Sequence, residues 1–63
     1  MTAQEEANSL WDRYNYYWRH EPLIAKQHIV INIIGEVCRQ LEKRGVYDVE
    51  YWVEVKKIIY EKQ

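Results

Sequence analysis

The sequence predicts an all-α protein, a helical hairpin of two to three helices per chain that dimerises into an antiparallel four-helix bundle. Three observations carry that expectation. Apolar residues recur at spacings of three and four almost throughout, the repeat of one helix face. Helix-start and helix-stop chemistry stands where the repeat breaks. Two of the expected helices are also apolar around more than half of their circumference, which is more than one neighbour covers. The chain reads as a single helical domain over 1–63, with helices at about 3–19, 22–44 and 48–62 and breaks near Pro22 and Gly45–Asp48.

The first helix opens on Thr2-Ala3-Gln4-Glu5. This is the pattern of a capping box, in which Thr2 accepts from the Glu5 amide while Glu5 reaches back. Its apolar stripe is Ala3, Ala7, Leu10, Trp11, Tyr14, Tyr17 and Trp18, an arc of about 120° at 100° per residue. Glu5, Asp12, Tyr16 and Arg19 lie on the opposite side.

Pro22 is the next punctuation. Proline suits a first helical turn and pushes its predecessor, Glu21, out of helical dihedrals. A turn and a kinked continuous helix are both open. Phase favours the turn, because an uninterrupted helix would bury faces roughly 170° apart in its two halves.

The second helix is the most apolar element, with Ile24, Ile29, Val30, Ile31, Ile33, Ile34, Val37, Cys38 and Leu41 spread over about 220°. Leu23, Gln27, Val30, Ile34, Val37 and Leu41 alternate in steps of four and three, a short heptad seam. Gly35 sits inside this helix at a cost near 1 kcal/mol; it either permits a close crossing or is merely tolerated. Gly45 suits the helix end, and Arg39, Lys43 and Arg44 suit the negative end of its dipole. Asp48 then caps the third helix. Its polar stripe (Glu50, Glu54, Lys57, Glu61) is narrow, and Val49, Tyr51, Trp52, Val53, Val55, Ile58, Ile59 and Tyr60 fill the rest.

Size points towards self-association. A chain of 63 residues buries only about 60% of its unfolded surface, and such chains often rely on disulfides, a metal or a partner. Cys38 is the only cysteine, which removes an internal disulfide and fits a reducing, intracellular setting. His20 and His28 are eight apart and lie on different turns, so no cofactor or metal is expected. The residues expected at the dimer core are Trp11, Tyr14, Trp18, Val30, Ile34, Val37, Leu41, Trp52, Val55 and Ile59.

Catalytic patterns find no support. Cys38 lies on an apolar arc and reads as a small buried hydrophobe rather than a nucleophile. His28, Asn32 and Glu36 share a face at four-residue steps and read as solvated. Ser9 is the only serine and has no acid–base partners arranged beside it. The two glycines are ten residues apart, so no phosphate-cradling loop is present. The longest apolar run is far short of the ~20 residues that span a membrane, and the acidic start is the reverse of a signal peptide.

Two surfaces are candidates for binding a partner. Arg39, Lys43 and Arg44 form a basic cluster, although a formal net charge of −1 does not favour a nucleic-acid partner held by bulk charge. Tyr16 points away from the stripe of its helix. Charged residues at 30%, with two glycines and one proline, are compatible with a thermophilic source.

A helical hairpin with a heptad-like seam and polar outer faces resembles the Rop-like antiparallel four-helix bundles. The run Trp11-Asp12-Arg13-Tyr14-Asn15-Tyr16-Tyr17-Trp18 and the isoleucine-rich segment 29–34 also resemble a small helical protein of the spindle-shaped archaeal viruses, the fuselloviruses. That resemblance implies a homodimeric four-helix bundle, viral origin, residence in the host cytoplasm and an adaptor role towards an unknown protein partner. It transfers no catalytic residue. No residue-by-residue match carries over the RNA binding of Rop, and two breaks are one more than a simple hairpin needs.

Overall fold

The structure is a computed structural model, and it describes residues 1–62. Gln63 lies outside the described residues. The chain forms three helices, α1 (Ala3–Tyr17), α2 (Leu23–Lys43) and α3 (Val49–Tyr60). The architecture is all-helical, with no strand among the described residues.

Local chemistry sets the boundaries. The Thr2 hydroxyl accepts from the Glu5 amide at 3.1 Å and the Glu5 carboxylate accepts from the Thr2 amide at 3.0 Å, closing the box that satisfies two orphan donors of α1. At the other end Trp18 leaves helical geometry at φ −117° and ψ 36°. Helix α1 therefore stops at Tyr17 rather than near Arg19. The Glu21 amide donates to the Trp18 carbonyl at 3.0 Å, so the segment turns before Pro22. Pro22 itself is extended (φ −58°, ψ 154°), and its carbonyl accepts the first α2 bond from the Lys26 amide. A turn, not a kink, separates α1 from α2.

Helix α2 ends in a Schellman motif. The Val46 amide donates to the Leu41 carbonyl and the Gly45 amide to that of Glu42, both at 3.0 Å. Gly45 takes φ +73°, a left-handed conformation that disfavours any side chain. Asp48 then caps α3 through the Tyr51 amide at 3.1 Å.

Two contacts orient the helices. The Tyr51 hydroxyl donates to the Thr2 carbonyl and to Glu6 Oε1, both at 3.4 Å, which joins the starts of α1 and α3. Gln27 is buried near the start of α2, and its amide donates to the carbonyls of Ile59, Tyr60 and Lys62 at 3.4, 3.1 and 2.9 Å. A side chain of one helix thus caps the end of another, reaching the Tyr60 and Lys62 carbonyls as well as that of Ile59, which also accepts from the Lys62 amide at 3.2 Å. Helices α1 and α3 run one way and α2 runs back, giving an up-down-up bundle.

The core is Ala7, Trp11, Val30, Ile34, Cys38, Trp52, Val55, Ile58 and Ile59. Ile34, Ile59, Val30 and Val55 are fully enclosed, and each contributes roughly 1.5–3 kcal/mol of burial. This corrects the expected role of several residues. Trp11, Val30, Ile34, Trp52, Val55 and Ile59, assigned above to an intermolecular core, are enclosed by their own chain. The heptad seam is likewise spent internally at Gln27, Val30 and Ile34. Two of its members remain exposed, Leu23 at the first position of α2 and Val37 towards α1.

Candidate interaction surface

Helices α2 and α3 each bury one side of a wide apolar arc, and the uncovered sides meet. Tyr51 of α3 and Lys62 just beyond its end lie towards α1, where the Lys62 ammonium donates to Asn8 Oδ1, while Trp52 projects to the α2 side of the core. Beyond Trp52, by projection at 100° per residue, come Lys56 and then Val49, Tyr60 and Val53, and the three apolar residues are more than half exposed. On α2, Lys26 lies over the Trp11 ring of α1 at 5.9 Å, and Gln27 marks the α3 side. Continuing past the α3 side come Ile31, then Ile24 and Gly35, with the exposed Glu42 and His28 beside them. Ile24 is 68% exposed and Val46, in the α2–α3 turn, 62%. A Cβ built on Gly35 would meet nothing within 4 Å, so this glycine serves no close crossing within its own chain. Together these residues make an apolar furrow along the outside of the α2–α3 pair, on the side away from α1.

The sequence did not single out this furrow. Ile24, Val49, Val53 and Tyr60 were visible as members of the wide arcs, but an arc does not say which edge stays open. That depends on where α1 packs.

The residues that the sequence did single out lie elsewhere. Tyr16 is exposed at the α1 end, under the Arg19 guanidinium at 5.4 Å. Tyr14 and Trp18 are half-buried and stack with ring centres 5.8 Å apart. Tyr17, on the expected inward stripe, is exposed because α1 ends there and no neighbour reaches it. Leu41 is half-buried against the core. Arg39, Lys43 and Arg44 are all exposed, and Arg39 is paired with Glu36 at 2.9 Å, the one ion pair among the described residues. Glu36 and Glu42 interrupt the cluster, so it is not a uniform positive field.

Titration behaviour follows from the caps and contacts. The Thr2 backbone, then its hydroxyl, hydrogen-bond the Glu5 carboxylate and hold it below the usual carboxylate range. Burial pushes the Tyr51 phenol up, and the Glu6 carboxylate beside it adds to the effect. The Tyr47 phenol is pushed up by burial and by hydrogen bonding to Cys38, itself a buried thiol. His28, Asn32 and Glu36 are exposed. Among the described residues no cluster of three or more histidine, cysteine or carboxylate groups is arranged to hold a metal. No helix is long and apolar enough to cross a membrane.

These features define a small three-helix bundle with one open apolar face. No protein-family model, no curated protein and no solved structure matches the chain.

Proposed function

We propose that the chain is a non-enzymatic homodimeric adaptor, viral in origin and working in the host cytoplasm, whose charged outer faces meet macromolecular partners. The observation that carries this reading is the open furrow of Ile24, Val46, Val49, Val53 and Tyr60 on a bundle of 63 residues. Exposed apolar residues gathered on one face, rather than scattered singly, mark an interaction site. The α2–α3 hairpins of two copies make the antiparallel four-helix bundle, with α1 packed outside it. The Rop-like resemblance stated above supports that arrangement.

Sedimentation velocity tests the reading. A dimer at low micromolar concentration is expected, and a folded monomer across that range would sink it. An alternative is a Rop-like nucleic-acid binder that uses Lys43 and Arg44, which are exposed and form no ion pair among the described residues. It requires a shift of RNA or duplex DNA at low salt that fades as salt rises. Absence of a shift at low salt removes it.

A further inference from the structure

We infer that a second copy of this chain occupies the α2–α3 furrow in one defined orientation, about a two-fold axis that passes beside Gly35 and Val53. This rests on the homodimer reading above and adds the seam.

The level of the two helices comes from Gln27, whose amide touches the carbonyls of Ile59, Tyr60 and Lys62. Antiparallel helices step past one another residue for residue, so Gly35 lies at about the level of Val53. These two are the middle of the furrow, with Ile24 and Tyr60 at one end and Val46 and Val49 at the other. Gly35 has open space above it. A glycine with no neighbour of its own is what a close approach by another helix backbone needs.

Charge selects the orientation. A two-fold axis across the helices at Gly35 and Val53 sets residues equal steps away opposite each other in the two copies. Glu42 then faces His28 of the second copy. The contact occurs twice, and the apolar Ile24 and Tyr60 both arrive at Val46. An axis along the helices instead places His28 at about Tyr60 and Glu42 at about Val46, leaving each polar group against an apolar one. Glu42 has no ion-pair partner within the chain among the described residues, so it is available across the seam. Size is compatible as well: the molecule is 36 Å long and 19 Å wide. A flank of that outline is of the same order as the roughly 800 Å² per partner of a standard specific interface, and most of it must be used.

The test uses the full chain with two substitutions, read by sedimentation and by oxidation. Gly35→Leu fills empty space in the monomer and replaces a helix-interior glycine, so the melting temperature of dilute protein rises. The same leucine blocks the close approach and weakens dimerisation by at least about fivefold, the low end of what an overfilled contact costs. Val53→Cys places two thiols across the axis and gives a disulfide-linked dimer under mild oxidation, whereas Ser9→Cys on α1 does not. Wild-type protein, whose Cys38 is buried, serves as the blank. A wild-type dimer left intact by Gly35→Leu overturns the seam and leaves the homodimer reading standing. A dimer weakened by Gly35→Leu but not linked through Val53→Cys overturns the placement of the axis. A wild-type monomer overturns the seam and the homodimer together.

Discussion

The inner and outer sides of the α2–α3 pair are built from the same kinds of residue and have opposite fates. Inside, Val30, Ile34, Val55 and Ile59 are sealed from solvent; outside, Ile24, Val49, Val53 and Tyr60 are more than half exposed. Isoleucine and valine stand on both sides. The difference is made by α1, which packs on one side only. Burial is therefore a property of the arrangement rather than of the residue, and the two sides should respond to substitution in different ways.

The largest expected effect contrasts the two sides directly. Ile34→Ala should cost about 2–5 kcal/mol through lost burial and the cavity left behind. That is enough to unfold much of a marginal 63-residue chain. Val53→Ala should change the stability of dilute protein by no more than about 0.5 kcal/mol, the usual range for an exposed site. Urea titrations followed by circular dichroism, at protein concentrations below the dimer dissociation constant, measure both. Equal losses at the two positions would erase the contrast.

Gln27 comes next because it is the polar member of the inner side. Gln27→Ala removes the side-chain donor to the Tyr60 and Lys62 carbonyls and should cost about 1–3 kcal/mol. Hydrogen exchange sharpens the prediction: amides in the last turn of α3 should lose protection before those of α2. Uniform loss across the bundle would mean that Gln27 acts through packing alone.

Much of this fold can be read from the sequence. The capping box at Thr2 and Glu5, the stop at Gly45 and the cap at Asp48 are local devices whose partners lie within a few residues. Pro22 is legible for the same reason, since the phase of the apolar stripes on either side argues for a turn. The fates of Val30 and Ile34 are not legible in this way. A heptad seam states that a helix is packed, but a partner from the same chain and one from another chain present the same pattern. Gln27 shows the difficulty most clearly. It sits in the seam as an apparent blemish, and only the arrival of the α3 terminus 32 to 35 residues later explains it. The open furrow is hidden for the converse reason, since an uncovered edge is defined by the helix that does not reach it.

Helix starts provide a smaller test. Thr2→Ala removes the hydroxyl that accepts from Glu5 and should cost about 1 kcal/mol, typical of a lost N-cap. Because α1 covers only one side of the α2–α3 pair, the loss should weaken the inner side and leave the furrow untouched. Stability should fall while the dimer dissociation constant, measured well below the melting temperature, stays the same.

The smallest effects are those of pH, and their signs follow from the shifted groups. Glu5 is depressed in the folded chain. Its contribution is present above the unfolded carboxylate value near 4.3 and is lost as pH falls through the lower folded value. Tyr51 and Tyr47 are raised. Their contribution is complete below the unfolded phenol value near 10 and disappears as pH rises through the higher folded values. These three groups leave stability flat between about pH 6 and 9 and weaken it on both sides. Glu5→Gln should remove their acid arm. Thr2→Ala should only shrink it, because the Thr2 amide, the larger cause of the shift, remains. Tyr51→Phe should reduce the alkaline loss and leave the acid arm as it was. Melting temperatures from pH 3 to 11 decide each case. An alkaline loss unchanged in Tyr51→Phe would place its origin outside the contact that joins the starts of α1 and α3, and would weaken the account of how α1 is held against the inner side.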